Sequence, residues 1–229
     1  TLLAAKSPIA SPSFTGNVGV GTSSPTLPLD IVSNASADAL KLRARSGNDY
    51  ATMTFSSNDG ATKWADIQSN VAKDLRFYTN GSSETMRIDA AGIVTKPLQP
   101  AFHAMSGVGI TNTSTFPVTI VEFSSALLNT GGHYSTTNDR FTAPVAGVYK
   151  FSVGFMSMAD RQNRFGFFKN GGIQGNVGYA GPRIYQRTTY ELCITLAVND
   201  YVDFRTNINS GVEGCVHADY RYFTGYLIG

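Results

Sequence analysis

Residues 148–155, VYKFSVGF, alternate strictly: Tyr149, Phe151, Val153 and Phe155 fall on one side of an extended chain, and Val148, Lys150, Ser152 and Gly154 on the other. A period of two sends successive side chains to opposite faces of a strand, so this aromatic row marks the core face of a β-sheet. The approach is punctuated. In DRFTAPVAG, Pro144 fixes the backbone just before the strand, and Gly147 admits a turn or a close approach that a side chain would block. Leu192, Ile194 and Leu196 alternate in the same way into the turn Val198-Asn199-Asp200, and Val202 and Phe204 lead out of it, the pattern of a hairpin. At the end of the chain, Phe223, Gly225 and Leu227 oppose Tyr222, Thr224 and Tyr226; a strand apolar on both faces needs cover on both. The fold class predicted is all-β. Composition agrees, since 23 glycines with only 15% charged residues fit turns and short strands better than long helices.

The prolines and the aromatics divide the chain. Residues 1–33 read as an extended connector and the start of a shaft, because Ser-Pro occurs twice near the beginning and biases the backbone away from helix. Residues 34–98 repeat a rhythm of short strand and polar turn, with Leu40 and Leu42 before Ser46-Gly47-Asn48-Asp49, and Thr52, Thr54 and Phe55 before Asn58-Asp59-Gly60. The strongest hairpin is LRFYTNGSSETMRID, where Asn80-Gly81 supplies the positive φ angles of a primed turn. Such lean hairpins cannot build a thick core in one chain, and a threefold partner supplies the missing face. KPLQP, residues 96–100, has no place in a strand interior and marks the boundary. Beyond it, residues 99–229 carry enough aromatics for one sandwich core, and Cys193, inside the apolar run ELCITLAV, is read as a small core residue. Spacing does not settle whether it pairs with Cys215.

Several function classes are disfavoured. Eighteen basic residues nearly balance sixteen acidic ones, with no basic patch for nucleic acid. No stretch approaches membrane-spanning length, and TLLAAKSPIASP lacks the parts of a signal peptide; with no initiator Met, residue 1 is expected to lie inside a longer polypeptide. Gly16, Gly19 and Gly21 do not complete a dinucleotide or phosphate-loop motif. His103, His133 and His217 have no metal-ligand spacing, there is no Gly-x-Ser-x-Gly elbow, and Asp139, Asp160, Asp200 and Asp203 read as turn or strand-edge residues. The expectation is a protein that is not an enzyme, without cofactor or metal.

Motifs in the second half carry a resemblance. Val121 and Phe123, then NTGGHY at 129–134, FTAPVAGVY at 141–149 with Phe151, Lys169-Asn170-Gly171, Asn199-Asp200-Tyr201-Val202 and finally FTGYLI at 223–228 stand in the order found in the globular head of complement component 1q, which this region resembles. That family shares its fold with tumour necrosis factor. The resemblance implies a ten-stranded jelly roll forming a homotrimer at the tip of an elongated stalk, with Phe141, Pro144, Gly147, Tyr149, Phe151, Phe223 and Gly225 as fold-determining residues. It also raises calcium, for which Asp160 and Glu213 are the candidates against a reading of ordinary surface charge. Where many relatives have a Gly-X-Y collagen stalk, this chain has none. Its segments SPSFTGNVGVGTSSP and LRFYTNGSSETMRIDAAG instead resemble repeats of tailed-phage fibres.

Together these features give an expectation of a bacteriophage tail fibre, located in the virion. It comprises a trimeric β-hairpin shaft and a jelly-roll head that recognises a host surface glycan, lipopolysaccharide or other receptor, and it joins other tail or baseplate proteins through a preceding segment. Candidate contact residues are Arg161, Asn163, Arg164, Tyr179, Arg183, Tyr185 and Arg187, because Arg and Tyr on glycine-rich loops suit sugar rings and anionic groups through stacking and bidentate hydrogen bonding. The same residue types also pack subunit interfaces. A secreted adhesion protein with the same head, a surface-polysaccharide depolymerase and a structural collar without a ligand are the alternatives.

Overall fold

The structure is a computed structural model, and it describes residues 15–33, 38–44, 46–47, 49–105, 119–156, 163–180, 185–208 and 219–229. Every regular element among the described residues is a β-strand, and no helix is long and apolar enough to cross a membrane. The chain divides into two compact units, Thr1–Ser83 with Arg87–Val94, and Glu84–Met86 with Thr95–Gly229.

In the N-terminal region, β1 (Val18–Val20) and β2 (Leu29–Ile31) pair in parallel. A Cβ on Gly21, whose φ is +79°, would fall 2.0 Å from the Val32 carbonyl oxygen, so this glycine serves a tight backbone approach. A five-stranded sheet follows in chain order: β3 (Ala51–Ser56), β4 (Lys63–Ser69), β5 (Leu75–Thr79), β6 (Ser83–Ile88) and β7 (Val94–Thr95). Asn80 and Gly81 take φ values of +49° and +84° in the connection from β5 to β6, which extends through Ser82. Leu40 and Leu42 differ from expectation, since they are exposed and belong to no strand. The register sets Thr52 opposite Gln68 and Thr54 opposite Asp66 on one face, and Met53, Ile67 and Phe77 in a row on the other. Met53 and Phe55 remain 39% and 47% exposed, which leaves this apolar face thin within a single chain.

The second half contains β8 (Ala101–Met105), β9 (Thr119–Ile120), β10 (Ser125–Thr130), β11 (Tyr134–Ser135), β12 (Arg140–Thr142), β13 (Gly147–Met156), β14 (Asn163–Lys169), β15 (Gly172–Ala180), β16 (Arg187–Leu196), β17 (Tyr201–Ile208) and β18 (Arg221–Leu227). They form two sheets, β10-β8-β18-β13-β16 and β11-β12-β17-β14-β15, with the two-residue β9 on β17. The chain passes repeatedly from one sheet to the other, as in a jelly roll. With β9 counted, the described residues hold eleven strands where the resemblance implies ten.

Between the sheets lies an aromatic core. Phe141, Tyr149, Phe151 and Phe223 are fully buried, and the Phe102 ring stacks on Tyr134 at 4.7 Å while meeting Phe223 edge-on at 4.8 Å. Offset and edge-to-face geometries of this kind suit the aromatic quadrupole. Gly225 is buried among these rings, and a Cβ there would lie 2.4 Å from Phe151 and 2.7 Å from Phe102. Gly147 faces Leu227 in the same way at 2.7 Å, and Tyr149 donates its hydroxyl proton to the Val145 carbonyl at 2.8 Å, tying down the turn that contains Pro144.

Three sequence expectations need correction. β16 and β17 are not a hairpin: β16 pairs with β13 in one sheet and β17 with β12, β14 and β9 in the other, so residues 197–200 cross the sandwich. Cys193 is exposed, because the alternation that turns Leu192 and Ile194 toward the core turns Cys193 away from it. Asp203 is fully buried in the middle of a sheet, where Arg140 Nε donates to Oδ2 at 2.9 Å and Arg205 Nε donates to Oδ1 at 2.7 Å.

Candidate functional site

The register of the long strands gathers one end of the sandwich. Met156, at the end of β13, pairs with Arg187 at the start of β16; Tyr222, near the start of β18, pairs with Met105 at the end of β8. In the other sheet, Asn163 at the start of β14 pairs with Ala180 at the end of β15 and with Ile208 at the end of β17. Strands β8, β13, β15 and β17 therefore end here, and β14, β16 and β18 begin here. Of the seven expected contact residues, Asn163, Arg164 and Tyr179 lie on these strand ends, with the backbones of Arg164 and Tyr179 in register. Tyr185 is 69% exposed, and Arg187 is exposed as well. Arg161 and Arg183 lie outside the described residues, as do Asp160, Glu213, His217 and Cys215.

A cleft of about 210 Å³ opens at this end, lined by Met105, Met156, Arg187, Asp219, Tyr220 and Tyr222 among others. The Tyr222 ring lies across Gly154, where a Cβ would come within 2.2 Å of it, so only glycine lets the ring lie so close to the sheet. The Arg187 guanidinium stands 5.8 Å from the centroid of that ring, and the His103 ring 6.0 Å. A guanidinium over an aromatic face is a preformed platform for planar, polar or anionic groups. Beneath it, Arg221 is 1% exposed; burial pushes its pKa down against the pull of Glu122 and Asp139. Burial likewise raises the Tyr134 hydroxyl and the Asp139 carboxyl, although Asp139 accepts the Phe123 N–H at 2.8 Å. Sequence reasoning missed Tyr220 and Tyr222 as contributors. The available signal was Gly154, the single residue without a side chain on the outer row of an otherwise regular strand.

The outward face of the first sheet continues from this cleft. It carries His103, Val148, Ser152, Cys193, Thr224 and Tyr226, with one ion pair between Lys150 and Glu191 at 3.2 Å. Val148 and Tyr226 are 39% and 45% exposed, so the face expected to need cover is open in a single chain. Among the described residues, no group of three His, Cys, Asp or Glu side chains is placed to hold a metal ion.

Comparison with known proteins bears on the second half of the chain. No curated protein matches. The globular domain of zebrafish complement 1qA protein aligns at 19% identity over 57% of this chain and 98% of its own, with a TM-score of 0.46. Murine APRIL aligns at 13% identity over 57% and 99%, with a TM-score of 0.43, and Eiger TNF from S. frugiperda at 12% over 57% and 93%, with a TM-score of 0.39. Residues 101–228, more than half of the chain, match the C1q domain, and the chain therefore belongs to the C1q domain family.

Proposed function

We propose that this chain is the distal part of a bacteriophage tail fibre, a homotrimeric virion protein whose C1q-type head attaches to a glycan or lipopolysaccharide on the host surface. The observation that carries this reading is the end of the sandwich at which the backbones of Asn163, Arg164 and Tyr179 lie on strand ends, Tyr185 is exposed and Arg187 stands beside the Tyr222 platform. The open, sparsely charged outer sheet face supports association of three copies, and three symmetric weak sites give avidity. The N-terminal segments that resemble phage-fibre repeats support the fibre context.

The test is adsorption of the purified full chain to candidate host cells, and its competition with phage. Because Tyr185 and Arg187 are exposed, Tyr185→Ala with Arg187→Ala should leave the fold intact while lowering cell binding about tenfold, the loss of roughly 1.4 kcal/mol. Cell binding unchanged by this pair in a natively folded protein overturns the placement of the receptor site. A protein that neither binds nor competes on any susceptible host overturns the fibre reading.

A further inference from the structure

A second site is built into the N-terminal sheet, apart from anything the head is proposed to do. A cleft of about 730 Å³ lies over the polar face of β3 and β4, bounded by the extended residues 41–43 and by Tyr50. Thr52, Thr54, Asp66 and Gln68 form its floor, in the register described above. Lys41, Arg43 and Lys63 bring three cations to its walls, all on exposed residues.

Asp66 gives the cleft its character. It is only 5% exposed, and Lys63 Nζ donates to its Oδ2 at 2.7 Å, yet its other oxygen, Oδ1, is buried without a hydrogen-bond partner. Burial pushes the Asp66 carboxyl up, but the Lys63 ammonium and the Thr54 hydroxyl outweigh it and leave the pKa below the ordinary value, so the group is an anion whose Oδ1 accepts no hydrogen bond. Buried carboxylate oxygens without donors are uncommon and destabilising, and each invites a hydroxyl or N–H from outside. Gln68 is held in place, since its Nε2 donates to Thr52 Oγ1 at 3.1 Å and its Oε1 accepts the Tyr78 hydroxyl at 3.4 Å.

Two ligand classes fail on this lining. Apolar cofactors and drug-like molecules want predominantly hydrophobic walls, which this cleft lacks. A uniformly anionic polymer such as nucleic acid is drawn by the three cations but meets a buried carboxylate on the floor. A ligand that alternates negative groups with hydroxyl donors satisfies both. We propose that this cleft binds an acidic oligosaccharide, its anionic group held by Lys41 and Arg43 and a ring hydroxyl donating to Asp66 Oδ1, with Tyr50 beside the sugar ring.

The experiment is calorimetric titration of the full chain with a sulfated heparin octasaccharide, a carboxylated galacturonate octasaccharide and neutral maltooctaose. One or both acidic sugars should bind, weakening as salt rises, and maltooctaose should not. Lys41→Ala with Arg43→Ala, both exposed positions, should weaken binding about tenfold or more. Asp66→Asn should weaken it as well, by about threefold, through loss of the charged acceptor. The Tyr185→Ala, Arg187→Ala protein should bind these sugars as well as the parent, which separates this site from the one proposed in the head. Absence of binding by both acidic sugars, equal binding of maltooctaose, or unchanged affinity in the Lys41→Ala, Arg43→Ala protein overturns the proposal.

Discussion

Two arginines converge on Asp203. It lies on β17 between Arg140 of β12 and Phe168 of β14, and two residues from Arg205. Both arginines also cover aromatic faces, Arg140 over Tyr201 at 4.4 Å and Arg205 over Phe168 at 4.5 Å. The carboxylate fixes two guanidiniums, and that of Arg205 in turn covers Phe168, an outward-facing phenylalanine that is only 2% exposed. Removing one member of a buried ionic cluster typically costs about 3–5 kcal/mol. Asp203→Ala should fall near the lower end, about 3 kcal/mol, because both arginines reach solvent at 29% and 17% exposure and can hydrate when abandoned. Urea denaturation measures this, and a loss below about 1 kcal/mol would mean that stacking of the arginines, not their pairing, holds the cluster. Nothing local in the sequence marks Asp203: Tyr-Val-Asp-Phe-Arg reads as a strand edge until Arg140, sixty-three residues earlier, is known to lie opposite.

Among the elements, two turns are joined by one side chain. β14 and β15 meet at Asn170-Gly171, both at positive φ, and the crossing from β16 to β17 lies alongside. Asp200 binds them together: its Oδ1 accepts from Asn170 Nδ2 at 2.7 Å, and its Oδ2 accepts from the Ala197 N–H at 2.7 Å and pairs with Lys169 at 2.8 Å. The hydrogen bond from Lys169, with those from Asn170 and Ala197, lowers the Asp200 pKa from 3.8 to about 2. A depressed carboxylate contributes stability above its unfolded-state pKa and loses it as pH falls toward the folded one. The stability difference between the parent and Asp200→Asn should therefore be full at neutral pH and shrink as pH drops from 3.8 to about 2, as thermal melts across that range would report. A difference constant through the window would show that Asp200 makes no charge-dependent contribution.

At this scale the alternation in β13 and β18 was legible, because each of these strands has one face against the core, and so were the positive φ angles of Asn80-Gly81. The crossing between β16 and β17 was not, since a hairpin and a passage between sheets demand the same turn residues. Cys193 misled for a related reason. A run such as Leu-Cys-Ile looks buried on both faces, and the outer face of β16 is open in one chain. In the candidate site Arg187 stood out in the sequence as an arginine near a glycine-rich stretch, whereas Tyr222 joins it through pairing with β13 and β8, which no local pattern encodes.

For the whole molecule, the open face of the first sheet predicts association. The full chain should sediment at three times its 24.5 kDa mass. Tyr226, on that face and 45% exposed, can be replaced without disturbing the core, so Tyr226→Asp should shift the mass toward the single chain while leaving the β-sheet spectrum unchanged. A Tyr226→Asp protein that keeps the parent's mass would remove this face from the interface, and a parent that sediments as a single chain would remove the trimer. The distance between what holds this domain and what could distinguish one version of it from another has an evolutionary consequence. Phe102, Phe141, Phe151 and Phe223 pack around Gly225, whereas Tyr185, Arg187 and Tyr220 stand exposed at one end of the sandwich. Substitutions at such exposed positions are largely uncoupled from folding, so the surface at that end can vary between lineages while the aromatic interior stays as it is.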